Sequence, residues 1–110
     1  MDFISEIYEK NKKYKYIKEI HFSRTLDSED GLLYDMELIL SDFPCESSDT
    51  FTINFKGLHD IDIFDLNNCL AFAITIEDVS SHQLEGIRYK VTDAENELFS
   101  FFCNFITITK

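Results

Sequence analysis

The chain has 110 residues, 45% of them apolar and 15% aromatic, which is enough for one hydrophobic core and excludes a disordered chain. Its formal net charge of −11 is unevenly distributed: residues 1–25 hold four acids and six bases, whereas residues 26–110 hold 17 acids and four bases. Because self-repulsion of this size weakens a compact domain, we expect the acidity to serve solubility or the binding of a basic partner.

Three features of the sequence predict a cytoplasmic protein. The N-terminal residues lack a basic leader followed by an apolar stretch and a cleavage site. No run of about 18 apolar residues occurs, so no membrane partner is expected. The cysteines Cys45, Cys69 and Cys103 are odd in number and widely spaced, which favours reduced thiols over a disulfide scaffold.

Hydrophobic periodicity predicts one helix followed by strands. Phe3, Ile4, Ile7 and Tyr8 recur at helical spacing, so residues 1–13 are expected to form a helical N-terminal segment. From there the apolar period changes to two. Strands are predicted, in order, at about 14–22, 32–40, 51–56, 61–63, 70–76, 87–91 and 98–109.

Two of these strands carry further information. Ala71 and Ala73 place small residues on one face, which indicates close packing, with the N-terminal helix as one candidate. The last run is apolar on both faces through Phe101, Phe102 and Phe105, which is typical of a central strand covered on both sides. The sequence therefore predicts a single, mainly β domain over residues 14–110 with a short N-terminal helix. The pattern fits either a sandwich or one curled sheet with the helix on it, and we favour the antiparallel β-sandwich-like fold.

The residue patterns do not favour an enzyme, a metal site or a cofactor site. His59, Asp60 and Asp62 lack the paired Cys or His spacing of zinc sites and the glycine and final Glu of an EF-hand. Ser80–His82 has no nucleophile elbow beside it. Three isolated glycines cannot form a phosphate-binding loop. We therefore expect no catalysis, no metal and no cofactor.

Nucleic-acid binding is disfavoured for a different reason. Five lysines and two tyrosines lie in residues 10–18 and could contact phosphates and stack on bases. The strongly acidic remainder of the chain would repel the same polyanion. These lysines are better interpreted as a helix end and a guarded strand edge.

The acidic residues themselves are the best candidate for a functional surface. They form groups along strands and turns and would present a negative field that steers a basic partner. Eight residues are predicted to bind the partner. The main patch comprises Asp60, Asp62, Asp65, Glu77 and Asp78, and a second group beside the last turn comprises Asp93, Glu95 and Glu97. Exposed aromatic side chains nearby are expected to supply the desolvated centre. Tyr34 and Tyr89 are candidates, and the alternative for both is a place in the core.

One part of the chain carries a resemblance. Residues 55–63 combine a Phe-Lys-Gly turn with a short strand, and a late Asp-x-Glu turn at Asp93 and Glu95 precedes the aromatic–cysteine strand at Phe101–Cys103. This arrangement resembles small bacterial reading frames of polymorphic toxin loci. The chain as a whole resembles the immunity proteins of contact-dependent growth inhibition systems.

The resemblance implies a cytoplasmic, non-enzymatic protein that binds and neutralises a cognate toxin domain. Such toxins are often basic nucleases, which an acidic inhibitor can cover. A monomer or a weak dimer is expected. The alternative is an adaptor or structural domain that associates with itself through an apolar face.

Overall fold

The computed structural model describes residues 3–27, 31–42, 49–63, 73–80, 87–93 and 99–109. Within them the chain forms one helix and eight strands. In chain order these are α1 (Phe3–Lys13), β1 (Tyr16–Asp27), β2 (Gly31–Ser41), β3 (Thr50–Lys56), β4 (His59–Ile63), β5 (Ile74–Asp78), β6 (Tyr89–Asp93), β7 (Phe99–Cys103) and β8 (Phe105–Thr109). No helix of the described residues is long and apolar enough to cross a membrane.

The strands form two antiparallel sheets of four strands each, which we call sheet A and sheet B. Sheet A has the order β1-β2-β3-β8, and sheet B has the order β4-β7-β6-β5. Every pairing among them is antiparallel. The predicted fold class, mainly β with a short N-terminal helix, is confirmed.

The core lies between the inner faces of the two sheets. Phe55 of sheet A and Phe101 of sheet B meet there edge to face, with ring centroids 5.0 Å apart. The predicted alternation holds on both sheets, since buried residues alternate with more exposed ones along β3, β6 and β7. The buried hydrophobic residues of the described strands are Met36, Leu38, Leu40, Phe51, Ile53, Phe55, Ile74, Ile76, Tyr89, Val91, Phe99, Phe101, Cys103 and Ile106.

The chain passes from one sheet to the other at two places, and both lie at one shared corner. β3 leads into β4 through Gly57 and Leu58, and β7 leads into β8 through Asn104 alone. The two passages touch: the Asn104 N–H donates a hydrogen bond to the Lys56 carbonyl at 2.9 Å. The last apolar run is therefore two strands with a bend between them. The prediction of one strand covered on both sides was wrong, because β8 is an edge strand of sheet A.

Helix α1 lies against β5 and β8, the edge strands of sheets B and A on the same side of the molecule. Its apolar stripe enters the core, with Ile7 fully buried and Phe3 and Ile4 packed at its margin. Close packing was predicted for the face of Ala71 and Ala73. The helix lies beside β5, but the face that continues from Ala73 carries the exposed Thr75 and Glu77. Ala71, also part of that prediction, lies outside the described residues.

Candidate protein-binding surface

Asp60 and Asp62 lie on β4, an outer strand of sheet B. Among the described strands β4 pairs only with β7, and the pairing shifts register between His59 and Asp62. Asp60 occupies this bulge with φ 52°, a conformation that Asp tolerates better than most residues. Both carboxylates are exposed. Within the described residues neither has an ion pair, so their negative charge is uncompensated locally.

Glu77 and Asp78 are also exposed, but they lie on β5 at the opposite edge of the same sheet. Two strands, β7 and β6, separate them from Asp60 and Asp62. At a strand spacing of about 4.8 Å the two groups are about 14 Å apart. The predicted main patch is therefore divided between two edges rather than continuous.

The carboxylate of Asp78 is engaged in a local turn. Its Oδ1 accepts hydrogen bonds from the Ser80 hydroxyl at 2.6 Å and from the Ser80 N–H at 2.9 Å. These bonds hold the pKa of Asp78 below its usual range, with a smaller contribution from the positive charge of Arg88. Asp78 thus keeps its charge, although its oxygen is already in use.

Asp93 does not lie on the surface at all. Its side chain is 1% exposed, and its Oδ1 accepts a hydrogen bond from the Ala73 N–H at 3.4 Å. Asp93 was predicted to be an exposed contact residue, and that exposure is wrong. Alternation along β6 turns Asp93 to the same buried face as Tyr89 and Val91. The remaining predicted contacts, Asp65, Glu95 and Glu97, lie outside the described residues.

The aromatic residues at the surface differ from those expected. Tyr89 is buried, with its ring edge-on to Phe3 at 5.6 Å, and Tyr34 is half-buried. The large apolar side chains that the described surface exposes most are Phe105 at 59% and Phe22 at 46%. Sequence reasoning missed Phe105 because it placed this residue in a covered strand. The only signal was Asn104, a polar interruption in an apolar run.

The described residues offer little for catalysis or metal binding. No group of three His, Cys, Asp or Glu among them could hold a metal ion. Burial raises the pKa of the Cys103 thiol to about 12, so this sulfur stays protonated and is a poor nucleophile at neutral pH. A cavity of about 230 Å³ on the outer face of sheet A, beside His21, Glu37, Asn54 and Lys56, is smaller than most small-molecule sites.

What the described residues do offer is an uneven, charged outer surface with exposed aromatic side chains, which suits contact with another protein. A family model described as Immunity protein PIM8 matches residues 1–109. The chain belongs to this immunity protein family. An immunity protein neutralises a toxin, so the family implies a toxin protein as the partner, and immunity proteins are generally non-enzymatic. Searches among curated proteins and among solved structures gave no match.

Proposed function

We propose that this immunity protein acts in the bacterial cytoplasm and neutralises a basic toxin domain, a nuclease of a contact-dependent inhibition system, by covering its active site with an acidic surface. Membership of the family supports a toxin as partner. The net charge of −11 supports a basic one, since opposite fields accelerate encounter and suppress wrong partners.

The observation that carries this proposal is the uncompensated pair Asp60 and Asp62 on the outer edge of β4. An outer strand presents its side chains and its free backbone groups to whatever approaches. Here the bulge and the two carboxylates guard that edge against another strand while offering two acceptors to Lys or Arg side chains. Asp65, two residues beyond β4, belongs to the same proposed contact.

The other candidates have a secondary part in the proposal. Glu77 and Asp78 add to the negative field from the far edge of sheet B without touching the same toxin residues. Glu95 and Glu97 remain proposed contributors to that field. Asp93 is not proposed as a contact, because its carboxylate is buried.

Neutralisation can be tested by expressing the product of the neighbouring gene, where we expect the toxin to be encoded, together with variants of this chain. The double change Asp60→Asn and Asp62→Asn removes two charges and keeps side-chain shape, and Asn tolerates positive φ as Asp does. We expect this variant to lose protection against the toxin while its melting temperature stays unchanged or rises.

A matched control removes the same charge elsewhere. Glu6 and Glu9 are exposed on α1, and Glu6→Gln with Glu9→Gln should leave protection intact; the ion pair of Glu9 with Lys12 is exposed and contributes little. Equal protection by both double variants would refute the acidic-edge mechanism. Absence of protection by the unaltered chain would refute the function.

A further inference from the structure

Basic residues are rare beyond residue 25, yet most of them lie near one corner of the fold. Of the four bases in residues 26–110, three are Lys56, Arg88 and Lys90. Lys56 ends β3 opposite Phe105, and Lys90 on β6 lies opposite Phe102. The Arg88 N–H donates to the Cys103 carbonyl at 3.0 Å, immediately before the bend at Asn104. All three therefore lie around the corner where the sheets join.

Two aromatic side chains occupy the centre of this group. Phe102 and Phe105 are three residues apart, so their Cα atoms lie within about 10 Å of each other. Phe105 is 59% exposed, and Phe102 is half-buried with the Lys90 ammonium 5.8 Å from its ring centroid. We call Lys56, Arg88, Lys90, Phe102 and Phe105 the corner patch.

The bases of the corner patch form no close ion pair within the described residues, although the charge of Arg88 acts on Asp78 and Lys56 lies opposite Asp35 on β2. In the part of the chain that the structure describes, no carboxylate lies within 4.0 Å of Lys56, Arg88 or Lys90. Glu77 is the cross-strand neighbour of Lys90 without forming an ion pair with it. An exposed aromatic ring beside Arg and Lys side chains has the composition of an interface centre, where aromatic residues and Arg are enriched.

We infer that the corner patch is a second contact with the toxin. In this contact Phe105 is the anchor and inserts into an apolar pocket on the toxin that is bordered by carboxylates. This inference rests on the proposed function. A protein segment with a few acids fits the patch better than a nucleic acid, because a net charge of −11 repels a polyanion over its whole length. Asp60 and Asp62 lie on the neighbouring strand β4, so the toxin would meet both signs of charge side by side. Such alternation fixes the orientation of the partner.

The anchor is tested by comparing the two most exposed phenylalanines. Binding of an inactive variant of the neighbouring gene's toxin domain would be followed by surface plasmon resonance. We expect Phe105→Ala to raise the dissociation rate by about tenfold or more, the range of an interface hot spot. Phe22→Ala is the matched control on β1 and should change that rate less than about twofold.

The charges are tested by a second matched pair. Arg88→Gln with Lys90→Gln removes two positive charges from the patch, and Lys15→Gln with Lys18→Gln removes two exposed ones near the start of β1. We expect only the first pair to weaken binding, by about fivefold or more, with unchanged urea midpoints in both.

The outcomes separate this inference from the proposed function. If Phe105→Ala and the Arg88/Lys90 variant bind as tightly as the unaltered chain while the Asp60/Asp62 variant is weakened, the inference is overturned and the function stands. If the unaltered chain does not bind, both fail. A labelled single-stranded oligonucleotide is the remaining probe: binding at about 0.15 M ionic strength that the Arg88/Lys90 variant abolishes would assign the patch to nucleic acid and overturn the inference.

Discussion

Gly57 is the residue on which the corner between the sheets depends. Its φ is +71°, a conformation that costs other residues about 1–2 kcal/mol, and a Cβ placed there would lie 3.2 Å from the Cβ of Asn104. We therefore expect Gly57→Ala to lower the free energy of unfolding by about 2 kcal/mol or more in urea titrations.

Asp60 is the other residue with a positive φ in the described part of the chain, and a glycine introduced there serves as the control for Gly57. Asp60→Gly places the permissive residue at φ 52°, where the Asp side chain is exposed, and should change stability by less than about 0.5 kcal/mol. If Gly57→Ala were as mild as Asp60→Gly, the corner would tolerate a side chain and its close packing would be unimportant.

Cys103 gives stability a dependence on alkaline pH. Its pKa is raised by burial from 9.0 to about 12, so between these values the unfolded chain loses the proton and the folded chain keeps it. The stability that the neutral thiol provides is complete below pH 9 and is lost as pH rises toward 12. From pH 8 to pH 10 we expect a loss of about 1.4 kcal/mol from this group.

The loss attributable to Cys103 can be isolated by difference. Cys103→Ala removes this titrating thiol and leaves the lysines and tyrosines, which also titrate at alkaline pH, in place. Urea titrations of both proteins at pH 8 and pH 10 should show a steeper decline for the unaltered chain. Parallel declines would mean that the thiol ionises equally easily in the folded state.

At the scale of elements, α1 closes an edge that would otherwise be open. The Ile76 N–H donates to the Tyr8 hydroxyl, which in turn donates to the Ile76 carbonyl, both at 2.9 Å. The Ile74 N–H donates to the Asn11 Oδ1 at 2.9 Å, while the Asn11 amide donates to the Tyr14 carbonyl at 3.0 Å. Two helix side chains thus take the place of a further strand on β5.

Removing the Tyr8 hydroxyl tests this closure. Tyr8→Phe leaves the ring in place but deprives Ile76 of its partner for both backbone groups, so we expect a loss of about 1–3 kcal/mol. Hydrogen exchange at the Ile76 amide should also accelerate. Tyr16→Phe is the control, because the Tyr16 hydroxyl makes no hydrogen bond within the described residues, and it should be nearly neutral. Equal effects would show that the helix–edge bonds contribute nothing specific.

The elements also show how far the sequence could predict the structure. Period-two alternation predicted β2 and β3, and buried residues do alternate from Met36 to Leu40 and from Phe51 to Phe55, because one face of each strand packs on the core. It missed the bend at Asn104, since a continuous apolar run has no period to interrupt. It could not place Asp60 and Glu77 on opposite edges either, because strand order is decided by long-range pairing. Asp93 followed the alternation inward, and its identity as an acid misled the surface assignment.

At the scale of the whole molecule, the charge of −11 should oppose folding at low salt. The radius of gyration is 14.0 Å, shorter than the Debye length of about 30 Å at 0.01 M salt and longer than the value of about 8 Å at 0.15 M. We therefore expect the melting temperature to rise between these sodium chloride concentrations. A melting temperature that falls or stays constant would mean that the acids are compensated in the folded state.

The central claim is that the acidic edge of β4 steers a basic toxin, and the association rate measures it most directly. Stopped-flow mixing of the toxin domain with the unaltered chain, the Asp60/Asp62 variant and the Glu6/Glu9 variant would be followed from low to high salt. We predict a rate that falls steeply with salt for the unaltered chain and the Glu6/Glu9 control, and a slower, flatter rate for the Asp60→Asn, Asp62→Asn protein. The same rate and the same salt dependence for all three would contradict the account.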